Sequence, residues 1–258
     1  LHSFPTRRSS DLRQLNLNVW LDQSTDPFVD MSIYDEGGTP FDLDEFENRP
    51  CWIAVDASAT TDLTAVVACF RDDDEGFVVV PTFFVPGDGL RERGEKDGVP
   101  YVRWAEEGFI NPTPGSVIDY HAVEQSIRDL CERFDVREIV FDPAFSRQIS
   151  LPLLGSGLPV EEMRQTPIVM GPAITELERV IVGRKFRHGG HPVLRWNFDN
   201  VVAYTGHSGL RTFHKGKAKN RIDGAVAAAM AVARASAGDS GRLIYCDEKA
   251  RPSGFMIW

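Results

Sequence analysis

The chain has 258 residues, of which 42% are hydrophobic and 26% are charged, and this is an ordinary globular composition. Its longest apolar run is a short Ala-rich stretch after Asp223, well below the roughly eighteen uninterrupted apolar residues that indicate a membrane span. Four cysteines are scattered without CxxC spacing, so the sequence favours neither a zinc site nor a disulfide framework and indicates a reducing compartment.

The charge distribution says more about partners than the net charge does. A net charge of −10 argues by itself against a nucleic-acid partner. However, residues 13–50 contain nine acids and two bases, whereas residues 179–221 contain ten Lys or Arg residues against the single acid Asp199. A basic face set against an acidic remainder is compatible with DNA binding, although a solvated basic surface explains the same pattern.

The sequence divides into four segments. Residues 1–12, LHSFPTRRSSDL, resemble translated sequencing-adapter sequence, and they do not have the apolar core of a signal peptide, so we expect them to be non-native. Residues 13–50 are predicted to be an acidic linker or arm with a short helix near residues 42–47. The folded domain is predicted at residues 51–238, followed by a C-terminal tail at 239–258.

The order of elements in the domain predicts an α/β fold. Short apolar runs at 51–55, 63–70 and 77–84 predict three strands in an antiparallel meander. The elements predicted after them are a helix at 99–107, a helix from Asp119 or Tyr120, a strand at 138–141, a helix at 146–154, a strand at 160–165, a helix at 174–186, extended structure at 191–203, a basic loop at 206–220 and an Ala-rich helix at 222–235. This order is typical of a ribonuclease H-like mixed sheet flanked by helices.

Three acidic residues stand where such a fold would place a metal site. Asp56 closes the first strand, Asp142 closes the fourth, and Asp223 begins the Ala-rich helix. Two-metal phosphodiester hydrolysis requires several converging carboxylates, because Mg²⁺ prefers hard oxygen ligands. Strand ends and a helix facing them are the positions at which such a set can form.

Each acid also has an ordinary structural explanation. Asp56 could start a turn, Asp142 before Pro143 could end a strand, and Asp223 could favour a helix N-terminus. Together, however, charged residues next to apolar strands and helices are costly to bury unless something binds them. The trio therefore favours a metal site.

The loop before Asp223 is strongly basic. Its candidates for contact with a DNA phosphate backbone are Lys215, Lys217, Lys219 and Arg221, with His214 and Gly216 beside them. The alternative is a flexible solvated loop, and we favour DNA contact only because the loop adjoins the third acid.

Three further positions are weaker candidates. Asp62 could orient a ligand or a water molecule, whereas Asp119 is expected to cap a helix. The His188-Gly-Gly-His191 pair is expected to form a turn, since no third metal ligand lies near it.

Several separated motifs resemble one known family. These are VDASATTDLTAVVACF, FVPGDGLRERGEKDGVPY, REIVFDP, ELERVI with RKFRHGGHPVLRW, and RIDGAVAAAMAVARA. They resemble, in order, the C-terminal nuclease half of tailed-phage terminase large subunits, over about residues 15–235. Residues 15–18 also resemble the segment that links this family's ATPase domain to its nuclease domain.

The resemblance implies a specific function. The expected activity is an endonuclease that cuts concatemeric viral double-stranded DNA during genome packaging, using two Mg²⁺ or Mn²⁺ ions. Asp56 would contact both ions, and Asp142 and Asp223 would each hold one. The implied partners are a portal protein, a terminase small subunit and an ATPase domain, in the host cytoplasm and without a membrane.

The sequence departs from the family's pattern at two points, and two other functions are alternatives to the nuclease. No G-x-x-x-x-G-K-[ST] loop occurs, so this chain is not expected to translocate DNA by itself, and the Trp expected after Pro143 is replaced by Ala144. Residues 56–62 also resemble the first phosphate loop of actin- and sugar-kinase-like ATPases, although no second loop accompanies it. A non-catalytic docking module of the packaging motor is the other alternative.

Overall fold

The structure, a computed structural model, describes residues 27–57, 63–72, 75–143, 147–206, 209–213 and 221–238. Within these ranges, no helix combines the length and apolar character needed to cross a membrane. The strands are β1 (Pro50–Asp56), β2 (Thr64–Arg71), β3 (Phe77–Pro86), β4 (Asn111–Thr113), β5 (Asp135–Phe141), β6 (Val160–Glu162), β7 (Phe186–Arg187), β8 (Ala203–Thr205) and β9 (Arg211–Phe213). The helices are α1 (Met31–Asp35), α2 (Leu90–Asp97), α3 (Tyr101–Glu106), α4 (Tyr120–Arg133), α5 (Arg147–Gly155), α6 (Pro167–Val182), α7 (Pro192–Asn200) and α8 (Asp223–Ala237), with single 3₁₀ turns at Glu36–Gly38 and Leu43–Phe46.

A mixed sheet forms the centre of the described part of the chain. Its strand order is β4-β3-β2-β1-β5-β6, with β7 paired to β3, whereas β8 and β9 form a separate ribbon. Strands β1, β2 and β3 are an antiparallel meander, and β5 and β6 run parallel to β1 and to each other. The carboxyl ends of β1, β5 and β6 therefore meet at one edge of the sheet.

Helices cover both faces of this sheet, which explains why β1 and β2 are apolar on both sides. Alternate residues of β1 contribute to different cores, because successive side chains point to opposite faces. Trp52 and Ala54 pack in the core that includes α6 and α8, which we call the α8 face. Ile53 and Val55 pack in the core that includes α4 and α5, which we call the α4 face.

Helix α8 is the closest-packed helix on the sheet. Its residues 224–233 are all buried, and most are alanines or glycine, so the backbone can approach β1 and β2 closely. The C-terminal end is fixed by Arg71, whose Nε donates a hydrogen bond of 2.6 Å to the carbonyl oxygen of Ala235. Arg234 forms an ion pair with Glu138 of β5, with Nε 2.6 Å from Oε2.

The described part of the acidic arm packs on the same cores as the sheet. Phe28, Val29 and Tyr34 are buried on the α8 face, and Phe46 is buried on the α4 face. Asp35 forms a 2.7 Å ion pair with Arg195 of α7. The position near residue 51, where the sequence suggested that the folded domain begins, is thus not an edge of the hydrophobic core.

Much of the element order matches the sequence prediction. The three-stranded meander, the strand before Asp142, the short helical turn near residues 42–47 and the Ala-rich helix are all present. The start of α4 is also as predicted, because Asp119 Oδ1 accepts a 2.9 Å hydrogen bond from the backbone N–H of His121.

Other elements differ from the prediction. Residues 191–203 were expected to be extended, but α7 forms there with His191 as its N-cap and Pro192 in its first turn. Likewise, α6 begins at Pro167 rather than near residue 174. The strand predicted at 160–165 is shorter, since β6 ends at Glu162, the last residue in register with β5. Helix α2 was not predicted at all.

Replacing Arg234 with Met is expected to lower the free energy of unfolding by about 3–5 kcal/mol, because it leaves Glu138 charged and unpaired in a largely desolvated position. Only 12% of each side chain in this pair is exposed. Urea denaturation measures the change. The control is Arg103→Met in the Arg103–Glu107 pair, whose side chains are 73% and 40% exposed, and we expect it to cost less than about 1 kcal/mol. If the two variants lowered the free energy of unfolding equally, the ion pair of Arg234 with Glu138 would not stabilise the fold as we expect.

Candidate metal centre

Asp56 and Asp142 end two neighbouring parallel strands. The pairing of β1 with β5 runs as far as Val55 opposite Phe141, so the two aspartates follow next in the same register. Neighbouring strands lie about 4.8 Å apart, which brings the two carboxyl groups into one neighbourhood. The sheet therefore aligns the first two predicted acids.

Both acids also point to the same face of the sheet. Ala54 and Val140, two residues before each aspartate, belong to the core on the α8 face. Because side chains alternate along a strand, Asp56 and Asp142 are on this face too. Asp56 is only 3% exposed, and Asp142 is half-buried.

Gln165 joins these two acids. Its side-chain Nε2 donates to Asp56 Oδ1 at 2.6 Å, and its backbone N–H donates to Asp142 Oδ2 at 3.2 Å. Gln165 lies between β6 and α6, just past the carboxyl edge of the sheet. These bonds show directly that Asp56 and Asp142 lie within reach of one residue.

The third acid, Asp223, is brought to the same end of the sheet by α8. Asp56, Ala65 and Phe83 form one row across β1, β2 and β3. Gly224 lies against this row, since a Cβ atom built on it would be 2.7 Å from Phe83 Cζ. Asp223 therefore adjoins a residue, Gly224, that contacts the row of residues to which Asp56 belongs.

Two buried amides hold the N-terminal end of α8. Asn197, which is fully buried, accepts a 2.7 Å hydrogen bond from the backbone N–H of Gly224 and donates one of 2.9 Å to the carbonyl oxygen of Val193. Asn200 Nδ2 donates to the carbonyl oxygen of Arg221 at 3.2 Å. Both asparagines belong to α7, so this helix positions the start of α8.

A polar cluster adjoins Asp223. Buried Asp97 accepts a 3.0 Å hydrogen bond from the hydroxyl group of Tyr101, and Arg221 Nε lies 3.4 Å from the same Oδ2 atom. Burial raises the pKa of Tyr101, and the nearby charge of Asp97 and, less strongly, that of Asp223 act in the same direction. Asp223 therefore lies close enough to this cluster to influence it electrostatically.

The donor set suits a divalent cation that prefers oxygen. It consists of carboxylates, and two of them are already adjacent. In the described ranges, no three His, Cys, Asp or Glu side chains are arranged so that they could hold a metal ion. Binding through the full trio would thus require adjustment of side chains, above all of the Gln165 amide on Asp56.

The structure describes only some of the other predicted candidates. Lys215, Lys217, Lys219 and Asp62 lie outside the described residues. Arg221 is described, and its guanidinium group is paired with Asp97 and only 24% exposed.

The histidine pair forms the expected turn, with Gly189 and Gly190 at positive φ. His188 is buried and stacks on Tyr34 with ring centroids 4.0 Å apart. Burial, together with the charge of His188, lowers the pKa of His191 to about 4. The His188 ring serves packing, whereas the His191 ring packs against Phe83 and caps α7.

Sequence reasoning missed Gln165, Asn197 and Asp97. Gln165 had a usable signal, since alternation from buried Met163 places it on the face of Asp56. Asn197 had none, because a single amide within a predicted extended segment does not reveal its contact with α8.

Comparisons with known proteins decide the family. The family described as "Terminase large subunit, endonuclease domain" matches residues 8–239. The terminase large subunit of Enterobacteria phage HK97 is 35% identical over 226 residues, covering 87% of this chain and 44% of that protein. The chain belongs to the terminase large subunit family.

Solved structures agree with this assignment. The crystal structure of the HK97 bacteriophage large terminase matches the terminase chain with a TM-score of 0.74 at 35% identity, covering 86% of this chain and 46% of that one. The large terminase nuclease from thermophilic phage G20c with bound cobalt matches with a TM-score of 0.53 at 12% identity, covering 82% and 99%. The predicted ribonuclease H-like fold is confirmed. The terminase chain spans about half the length of the HK97 proteins that it matches.

Replacing Gly224 with Ala is expected to push the start of α8 away from β3, because the new Cβ would lie 2.7 Å from the Phe83 ring and 3.1 Å from Leu194 Cδ1. Overpacking of this kind costs about 1–3 kcal/mol, which urea denaturation measures. The control is Gly155→Ala, since nothing lies within 4 Å of a Cβ there. A destabilisation no larger than that of the control would show that the close contact does not hold α8 in place.

Proposed function

We propose that this chain is a metal-dependent endonuclease that cuts double-stranded DNA during viral genome packaging. The observation that carries the proposal is the alignment of Asp56 and Asp142 at neighbouring strand ends, joined by Gln165, with α8 bringing Asp223 to the same end of the sheet. Membership of the terminase family supports the same conclusion.

Asp56, Asp142 and Asp223 would hold the ions, with Asp56 shared between two of them. We propose Mg²⁺ or Mn²⁺ for this role, since both bind carboxylate oxygens readily. Bound ions would stabilise the negative charge that develops on the phosphate during in-line attack by water. The protein's part is to hold the carboxylates in register and to keep one side of the site free of bulk water, since Asp56 is 3% exposed.

The basic segment before α8 is the proposed DNA contact. Lys215, Lys217 and Lys219 precede Asp223 by four to eight residues, so a phosphate backbone bound there would pass beside the acids. Arg221, by contrast, is paired with Asp97, and we propose that its main role is to fix the end of this segment. Such contacts position DNA without reading its sequence.

The proposed partners follow from family membership. A portal protein, a terminase small subunit and an ATPase domain would deliver DNA to the nuclease, and the DNA cut would be concatemeric viral DNA. These partners concern the whole protein, of which this chain matches about half in its HK97 relative.

Cleavage of supercoiled plasmid tests the activity. We expect nicking and linearisation with Mg²⁺ or Mn²⁺ and none with EDTA. Asp56→Asn, Asp142→Asn and Asp223→Asn should each lower the rate roughly a hundredfold or more, because each removes a charge that would stabilise the ions. Gel electrophoresis over time gives the rates.

The matched control is Asp119→Asn, because Asn also caps helices and this residue lies at the start of α4. It should cleave at the wild-type rate. Cleavage that persists in EDTA, or that is equal in the three acid variants and the wild type, would contradict the proposed centre. If the folded wild-type protein fails to cut DNA both with Mg²⁺ and with Mn²⁺, this result would contradict nuclease activity of the chain by itself.

A further inference from the structure

Gln165 hydrogen-bonds both strand-end acids. Its side-chain amide reaches Asp56 Oδ1 at 2.6 Å, and its backbone N–H reaches Asp142 Oδ2 at 3.2 Å. The two bonds differ in kind. The first depends on the side chain, whereas the second survives any substitution except proline.

The backbone around Gln165 is fixed on both sides. Before it, the N–H of Met163 donates to the carbonyl oxygen of Phe141 at 2.8 Å and so extends the pairing with β5. After it, the carbonyl oxygen of Thr166 accepts a 2.8 Å bond from the N–H of Met170 in the first turn of α6. The side chain of Gln165 is therefore the adjustable part of this connection.

The amide at Asp56 and a divalent cation compete for the same atom. A carboxylate oxygen accepts hydrogen bonds and also coordinates cations through its lone pairs. The NH₂ group carries the positive end of the amide dipole, and a bond of 2.6 Å to a carboxylate is short and charge-assisted. An ion that takes the Oδ1 lone pair to which this amide donates must therefore displace the amide.

We propose that Gln165 is a placeholder for the cation. Its amide stabilises the buried Asp56 carboxylate before an ion binds, and its displacement lowers the affinity of the centre for that ion. Gln165 is thus a positioning residue that opposes metal loading. This inference rests on the proposed metal centre and adds to it a residue that sets how readily the centre fills.

Gln165→Met tests the placeholder, because Met has a similar length and cannot donate a hydrogen bond to Asp56. Titration calorimetry with MnCl₂ should give a Kd about tenfold lower than that of the wild type, which corresponds to the loss of one competing charge-assisted bond. Without Mn²⁺ the variant should melt at a lower temperature, and saturating Mn²⁺ should raise its melting temperature more than it raises that of the wild type.

The matched control is Gln125→Met on α4. Gln125 Nε2 donates a 2.8 Å bond to Asp129 Oδ1, so this substitution removes the same kind of bond on an exposed surface. It should leave the Kd for Mn²⁺ unchanged. A second variant, Gln165→Leu, also removes the donor without adding a charge, and we expect it to bind Mn²⁺ more tightly than the wild type as well.

The outcomes distinguish failure of the placeholder role of Gln165 from failure of the metal centre itself. Unchanged or weaker Mn²⁺ binding by folded Gln165→Met would overturn the placeholder, since a purely structural role predicts weaker binding. If Gln165→Met does not fold, unchanged or weaker binding by Gln165→Leu would overturn it in the same way. If the wild type itself binds no Mn²⁺, the proposed metal centre fails, and the placeholder fails with it.

Discussion

Burial of the Ala-rich helix α8 against β1 and β2 is the constraint on which the rest of the structure depends. Small side chains along this helix allow its backbone to lie close to the sheet, and Gly224 meets the Phe83 ring where the helix begins. The ion pair between Arg234 and Glu138 fixes its other end. A helix held at both ends in this way has little freedom to slide, so the position of Asp223 follows from the adjacent contact of Gly224 and from the ion pair at the far end of the helix.

Gathering acids at one end of a sheet has an electrostatic cost, and among the described residues an amide and an arginine offset part of it. The Gln165 amide stabilises Asp56, while Arg221 stabilises the buried Asp97. An amide carries no net charge, so its hydrogen bond to a carboxylate is weaker than an ion pair with arginine. We therefore expect a cation to displace the amide more readily than it would displace an arginine. These partners agree with the roles that we propose, a cation-binding position for Asp56 and a structural anchor for Asp97.

How much the sequence predicted depended on whether the signal was local. Apolar runs that end in Asp56 and Asp142, and an Ala-rich run that begins at Asp223, indicated strand ends and a helix start, and these are present. The contacts that complete the site are not local, since Gln165 meets Asp56 across 109 positions of the chain. Helix α7 was missed because residues 191–203 were expected to be extended, yet His191 and Pro192 suit the N-cap and first turn of a helix.

The most direct test of the metal centre is anomalous X-ray diffraction from crystals of this chain soaked in MnCl₂, with data collected at the manganese absorption edge. The account predicts an anomalous peak within coordination distance of the carboxylates of Asp56 and Asp142, with the Gln165 amide turned away from Asp56. Peaks found only elsewhere, or an Asp56 that keeps its bond to Gln165 at saturating Mn²⁺, would contradict it.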